Sequence, residues 1–180
     1  MTYGQTVQRA GAYNRLAEPS WADPLDTTYS RARGGRWNVP GAFGALYLNR
    51  DPRMARLQVH HKLAGQPFGV EDLDPSEQHD LIEVRVDDCD PLDCVTAPGR
   101  TDVGLPAGYP LDDQGQPVTY DACQTVSSEA FAARHPGVAC RSAAGGATVS
   151  NEELAVFDRD AGLVHQTARR PFSDWYLDQQ

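Results

Sequence analysis

The stretch Arg33-Gly34-Gly35-Arg36-Trp37-Asn38-Val39-Pro40-Gly41 is the most informative part of this 180-residue chain. Its paired glycines allow the backbone to approach a ligand closely, and the arginine that follows them offers a planar fork of donors that suits phosphate. A structural turn with an arginine at the surface and a tryptophan in the core would have the same composition. Local chemistry therefore leaves a binding turn and a structural turn equally open.

Immediately downstream, the sequence predicts a buried strand and then a helix. Residues 44–49 form a short apolar run between turn residues, which is typical of a buried strand. Residues 53–64 are mostly good helix formers and predict a helix of about three turns. Asp51 supplies a capping carboxylate before Pro52 at the start of this helix, and Gly65 ends it.

The rest of the chain alternates predicted strands, a short helix and one long loop. Residues 80–87 alternate apolar and polar side chains with the period of two that characterises a strand with one buried face. Two further buried strands are predicted over residues 137–140 and 154–157, and a short helix over residues 127–133. Residues 89–120 are rich in proline, glycine and aspartate and predict a long functional loop or lid. Strands interspersed with a few helices indicate an α+β fold.

Composition indicates one domain that spans residues 1–180, because the chain is long enough for one core and too short for two ordinary domains. No apolar run has the length of a signal peptide or a membrane helix, so we expect a cytoplasmic protein without a membrane partner. A net charge of -9 argues against direct nucleic-acid binding and favours a basic protein partner. The cysteines lack zinc-ligand spacing, so no metal site is predicted and these thiols are expected to be reduced: Cys89, Cys94, Cys123 and Cys140.

Several motifs occur in the order that characterises one protein family. They are Arg15 within Tyr13-Asn14-Arg15, the run Gly34-Gly35-Arg36-Trp37-Asn38, Tyr47 within Leu46-Tyr47-Leu48, the helix around Gln58, Ser142, and the segment 151–157. On these residues the chain resembles the RES-domain proteins over most of its length, from Tyr13 to about Phe157.

The resemblance implies a fold, an activity and a partner. Proteins of this family have a fold related to that of the ADP-ribosyltransferase toxins, so we expect small mixed sheets with a few flanking helices. Their characterised members degrade NAD by phosphorolysis or hydrolysis of the nicotinamide glycosidic bond. NAD is then the substrate and inorganic phosphate a candidate co-substrate, and no cofactor is expected. Many members are toxins that an antitoxin with a helix-turn-helix domain holds inactive.

The resemblance also assigns roles to four residues. Arg15 and Arg36 would bind the pyrophosphate or the nicotinamide ribose of NAD, because a guanidinium engages phosphate oxygens with two donors. Tyr47 would stack on the nicotinamide or hydrogen-bond to it, and Ser142 would place a hydroxyl near the ribose or a phosphate. The alternatives are surface ion pairs for the arginines, a core aromatic for Tyr47 and a local turn for Ser142.

Gln58 stands where the family has its catalytic glutamate. Cleavage of the nicotinamide bond develops positive charge on the ribose, and a carboxylate stabilises that charge. Opposite charges about 4 Å apart attract by roughly 4 kcal/mol at an effective dielectric constant near 20, so losing the carboxylate would cost on the order of a thousandfold in rate. Gln58 can still hydrogen-bond to a ribose hydroxyl through its amide oxygen.

Other side chains could substitute for the missing carboxylate or handle protons. Glu83 lies on the outward side of its predicted strand, whereas Glu152 and Glu153 precede a buried strand near the serine segment and are better placed. His60 and His61 lie on the predicted helix, but adjacent helix positions point about 100° apart, so at most one of them could face the site.

Three functions are compatible with these observations. The first is an NAD-cleaving enzyme that is the toxin of a toxin–antitoxin pair. The second is a relative that binds NAD or ADP-ribose but is weakened or inactivated by Gln58. The third is an ADP-ribosyltransferase, which only the related fold supports. The sequence leaves open the oligomeric state, the acceptor, and whether the aromatic tail over residues 169–180 packs on the domain or forms a partner surface.

Overall fold

The strands form one sheet in the structure, a computed structural model that describes residues 3–177. The strands are β1 Arg9–Ala17, β2 Ala45–Asn49, β3 Asp80–Cys89, β4 Leu92–Cys94, β5 Gly137–Arg141, β6 Glu152–Phe157 and β7 Val164–Arg170. Their order across the sheet is β4-β5-β6-β2-β1-β3-β7, and the pairs are antiparallel except for β4 with β5.

Short helices flank this sheet. The α-helices of the described residues are α1 Thr28–Arg33, α2 Arg53–Leu63, α3 Ala97–Asp102 and α4 Tyr120–Ala132. 3-10 helices cover Val70–Asp72, Pro75–Glu77 and Asp158–Leu163, and a π-helical turn covers Ser173–Leu177. The predicted α+β class is confirmed, although the strands join in one seven-stranded sheet where small sheets were expected.

The sheet has a narrow junction between β1 and β2. β1 pairs with β3 from Arg9 to Ala17, whereas its register with β2 is the single pair of Asn14 and Asn49. At this pair, Nδ2 of Asn14 donates a hydrogen bond to the carbonyl oxygen of Asn49 at 3.0 Å. Because the two halves of the sheet meet at one residue pair, side chains from both strands can border a common cavity beside it.

Alternation along β6 separates two apolar cores. Leu154 and Val156 belong to the core on one face of the sheet, which also contains Leu46 of β2. Ala155 and Phe157 belong to the core on the opposite face, which α4 covers. Successive side chains of β6 are buried on alternate faces of the sheet, so a shift of one residue in the register of β6 would exchange the two sets of side chains.

The C-terminal aromatic residues pack on α2. They form a third core whose buried members are Ala55, Val59, Leu81, Phe172, Trp175 and Tyr176. The rings of Phe172 and Tyr176 are stacked, with centroids 4.8 Å apart. Of the two roles left open for the tail, packing on the domain is therefore the observed one, and residues 178–180 lie outside the described residues.

Local patterns located several elements. The strands predicted over residues 44–49, 80–87, 137–140 and 154–157 correspond to β2, β3, β5 and β6. The predicted helix corresponds to α2: the Asp51 carboxylate accepts a hydrogen bond from the backbone nitrogen of Arg53 at 2.9 Å, and Gly65 follows the helix with a φ of 78°.

Two predictions were wrong, one of a long loop and one of the start of a helix. Residues 89–120 are not one long loop, because they contain β4 and α3 and bury Leu105, Tyr109 and Val118. Isolated apolar residues between prolines and glycines carry no periodicity, although long-range packing buries each of them. The helix predicted over residues 127–133 begins at Tyr120, where the Thr119 hydroxyl accepts a hydrogen bond from the helix.

The described residues contain no helix that is long and apolar enough to cross a membrane. They also contain no group of three or more His, Cys, Asp or Glu side chains that could hold a metal ion. The cysteines of this part of the chain are free thiols. Burial raises the pKa of Cys89 to about 11, so its thiol is protonated at neutral pH.

Candidate active site

A cavity of about 430 Å³ lies at the junction of the two sheet halves. Its lining residues come from both halves and from α2: Arg15, Leu16, Gly35, Arg36, Tyr47, Asn49, Gln58, Tyr120, Ala143, Ala144 and Glu153. Four of the five site residues predicted from the sequence are therefore brought together, although they are spread over more than forty positions from Arg15 to Gln58. Ser142, the fifth, lies just behind the lining.

The glycine-rich stretch forms a tight turn beside this cavity. The backbone nitrogen of Gly35 donates to the carbonyl oxygen of Asn38 at 3.0 Å, which leaves Arg36 and Trp37 at the tip. Trp37 is fully buried, whereas Arg36 lines the cavity. Gly34 enters the turn with a φ of 73°, in the left-handed region that favours glycine. The stretch is thus a structural turn and a cavity wall at once.

The Tyr47 hydroxyl holds this turn in place. It accepts a hydrogen bond from the backbone nitrogen of Trp37 at 2.9 Å and donates one to Oδ1 of Asn38 at 2.7 Å. A Cβ atom on Gly35 would overlap the same hydroxyl oxygen, which explains why a glycine stands there. Burial raises the pKa of Tyr47, so the hydroxyl remains protonated. Because the donor is engaged, the ring of Tyr47 is what remains for a ligand in the cavity.

Residues near the start of α4 fix the Arg36 side chain. Its Nη1 donates to the carbonyl oxygen of Val118 at 2.8 Å, and its guanidinium lies 4.7 Å from the ring centroid of Tyr120. Nε2 of Gln124 donates to the carbonyl oxygen of Gly35 at 2.8 Å and so secures the turn from the same helix. Sequence reasoning missed Tyr120 and Gln124, because nothing in their local pattern connects them to a turn about 90 residues earlier.

Arg15 is the cation of the cavity with the fewest partners. In the described residues, its Nε and Nη1 atoms are buried and make no hydrogen bond. The guanidinium lies 5.8 Å from the ring centroid of Trp21, and burial lowers its pKa while the charge of Asp23 opposes that effect. A buried cation without a paired anion is costly, so this position favours an anionic ligand.

Ser142 contacts a carboxylate instead of lining the cavity. It is buried, and its hydroxyl donates to Oε1 of Glu153 at 2.5 Å while accepting from the backbone nitrogen of Ala144 at 3.2 Å. Burial raises the pKa of Glu153, whereas the Ser142 hydrogen bond and the Arg36 charge oppose that rise. Glu153 lines the cavity, so a carboxylate borders the site where Gln58 provides none.

The remaining candidates lie elsewhere. Glu152 forms a two-point ion pair with Arg9, and Glu83 lies 3.5 Å from Arg170 beside a separate cavity. The His60 ring is directed toward Tyr176, at 6.3 Å between centroids, and the His61 ring lies against Gly145. Neither histidine belongs to the cavity lining.

The family model of the RES domain matches residues 10–175. The chain belongs to the RES domain family. This RES domain is similar to a chain in the crystal structure of the M. tuberculosis MbcT–MbcA toxin–antitoxin complex, with a TM-score of 0.74 and 23% sequence identity over 97% of this chain and 90% of that chain. No curated protein matches the sequence significantly. At this identity the structural likeness shows a shared fold.

Proposed function

We propose that this RES domain binds NAD and cleaves the bond between nicotinamide and ribose. The observation that carries the proposal is the Arg15 guanidinium. Within residues 3–177 its buried Nε and Nη1 donors have no acceptor, and the same cavity also contains Arg36 and the Tyr47 ring. A dinucleotide supplies what these groups lack, because its pyrophosphate is anionic and its nicotinamide ring is flat. Membership of the RES family supports the same substrate.

In the proposed complex, Arg15 and Arg36 bind the pyrophosphate or the adjacent ribose. Arg36 keeps its contact with Val118 and directs its other donors toward the ligand. Tyr47 offers its ring to the nicotinamide, and Gln58 hydrogen-bonds to a ribose hydroxyl. The cavity volume of about 430 Å³ lies in the range of small-molecule sites.

The reaction breaks the bond between C1′ of the ribose and the ring nitrogen of nicotinamide. The bonding electron pair leaves with nicotinamide, whose ring becomes neutral, and positive charge develops on the ribose. Water or a phosphate oxygen then adds to C1′. Water yields ADP-ribose and a released proton, whereas phosphate yields ADP-ribose phosphorylated at C1′. The scheme invokes no further cofactor.

We also propose that the protein is the toxin of a toxin–antitoxin pair. The similar fold comes from a complex of that kind, and a net charge of -9 suits a partner with a basic surface. The alternative function is an NAD-binding relative without turnover, and the presence of Gln58 in the cavity is the observation that favours it.

Release of nicotinamide from NAD, with and without phosphate, tests the proposed reaction. Chromatography of the products separates ADP-ribose from its phosphorylated form. NAD bound without release at high protein concentration would support the non-catalytic alternative. If the protein neither binds NAD nor releases nicotinamide from it, both the NAD-cleaving function and the non-catalytic alternative are refuted.

Arg15→Met tests the observation on which the proposal rests. We expect NAD binding, measured by calorimetry, to weaken by tenfold or more, and the melting temperature of the free protein to rise because an unpaired buried charge is removed. Arg53→Met is the matched control, since Arg53 is 84% exposed on the surface of α2. Unchanged NAD affinity in Arg15→Met would contradict the proposal.

A further inference from the structure

We propose that Glu153 supplies from β6 the carboxylate for which α2 provides only Gln58, and that Ser142 is the residue that positions it. The inference rests on the proposed function, because it names the charged group of the same site. It assigns to the cavity a carboxylate that does not depend on the helix.

The backbone of β6 directs Glu153 into the site. Glu153 shares its face of the strand with Ala155 and Phe157, and Glu152 points to the opposite face, where Arg9 pairs with it. The cross-strand partner of Glu153 on β2 is Asn49, which lines the same cavity. Glu153 is the only Asp or Glu residue of the cavity lining in the described residues.

The hydrogen bonds of Ser142 commit its proton to Glu153. The Ser142 oxygen already accepts from the backbone nitrogen of Ala144, and the Ser142 nitrogen donates to the carbonyl oxygen of Asn151 at 2.8 Å. The hydroxyl proton therefore serves Oε1 of Glu153. In the described chain this is the side-chain hydrogen bond that Glu153 receives, so Oε2 is left for a ligand.

The Glu153 carboxylate complements the positive charge that develops on the ribose during cleavage. Arg15 and Arg36 border the cavity and attract the anionic end of NAD, so the positive charge that develops on the ribose needs an anion elsewhere in the site. Ionised Glu153 stabilises that charge through space, and Oε2 can accept a hydrogen bond from a ribose hydroxyl. No bond to Glu153 forms, and the electron pair leaves with nicotinamide.

A carboxylate exchange tests the assignment. We expect Glu153→Gln to lower kcat/KM for nicotinamide release by about 100-fold or more while NAD affinity is retained and the melting temperature is no lower than that of the wild type. Adding Gln58→Glu to Glu153→Gln should restore at least about tenfold, because the helix then supplies the charge. Glu83→Gln is the matched control, and its activity should equal that of the wild type.

The pH profile separates a positioning role of Ser142 from substrate contact. Ser142→Ala removes a hydrogen bond to the ionised carboxylate, so the acidic limb of kcat/KM should move to higher pH. The titratable groups that face Glu153 are unchanged in this variant: Arg15 of β1, Arg36 of the turn, Tyr47 of β2, Tyr109, Tyr120 of α4 and Cys140 of β5. A rate loss that is equal at all pH values would overturn the positioning role.

Two other outcomes overturn the assignment of Glu153. Wild-type activity in a folded Glu153→Gln variant refutes the inference and leaves the proposed function standing. An inactive wild type that Gln58→Glu alone activates also refutes it, because Glu153 would then be unable to replace the helix carboxylate. If neither the wild type nor Gln58→Glu releases nicotinamide, the proposed function fails as well.

Discussion

Tyr47→Phe tests whether the Tyr47 hydroxyl stabilises the turn while the Tyr47 ring binds the ligand. The substitution removes both hydrogen bonds of the hydroxyl, one from the Trp37 backbone nitrogen and one to Oδ1 of Asn38, and it leaves the ring in the cavity. Both partner residues are fully buried. Because an unsatisfied buried polar group costs about 1 to 3 kcal/mol, we expect the free energy of unfolding to fall by about 2 to 4 kcal/mol.

The assay is a thermal melt combined with NAD calorimetry. For a domain of this size, about 1 kcal/mol corresponds to a shift of roughly 2 to 4 °C, so the melting temperature should fall by about 4 to 16 °C. Well below the transition, the dissociation constant for NAD should change by less than about threefold, because the engaged hydroxyl does not reach the ligand. An unchanged melting temperature with tenfold weaker NAD binding would refute the reasoning and show that the hydroxyl contacts the ligand.

Gly35→Ala provides an internal control for the same contact. In the wild type, the added Cβ overlaps the Tyr47 hydroxyl oxygen and lies 2.9 Å from both Cζ of Tyr47 and Oδ1 of Asn38. In the Tyr47→Phe background the first overlap disappears, so Gly35→Ala should destabilise the protein less there, with a coupling energy of about 1 kcal/mol. Strict additivity of the two substitutions would contradict the contact.

Three other perturbations test the packing and charges around the site. Phe172→Ala removes a fully buried ring from the core against α2, so urea unfolding should show a loss of about 3 to 5 kcal/mol, and an unchanged midpoint would mean that the tail is dispensable. Gly34→Ala should lower the melting temperature more than Gly41→Ala, because both have a positive φ but only a Cβ on Gly34 overlaps Pro40; equal shifts would contradict that contact. Glu153 has a raised pKa in the folded protein, so the wild type should lose stability relative to Glu153→Gln as the pH rises from the unfolded value of this group through its folded value; parallel curves of melting temperature against pH would contradict the burial of its charge.

Much of the fold was predictable because its signals are local. The period-two pattern of β3 and the proline and glycine around α2 are set by a few neighbouring residues, and the structure places both elements where the pattern predicts them. β1 gave no such signal, since its sequence places Asn14 and Arg15 at buried or partly buried positions that a polar pattern does not indicate. Those two residues lie at the junction of the sheet, where Asn14 pairs with Asn49 and Arg15 lines the cavity, so the alternation of apolar and polar residues is interrupted there.

The sequence by itself determined the family and four of the residues that border the cavity. Arg15, Arg36, Tyr47 and Gln58 are recognisable by motif order, because each occupies a fixed place in a local element. Only the tertiary structure decided which atoms are available. The Tyr47 hydroxyl is occupied by the turn, and the hydroxyl of the serine that was expected at the substrate is hydrogen-bonded to Glu153, which itself faces the cavity. These outcomes depend on strand register and on hydrogen bonds between segments distant in sequence, which no local spacing encodes.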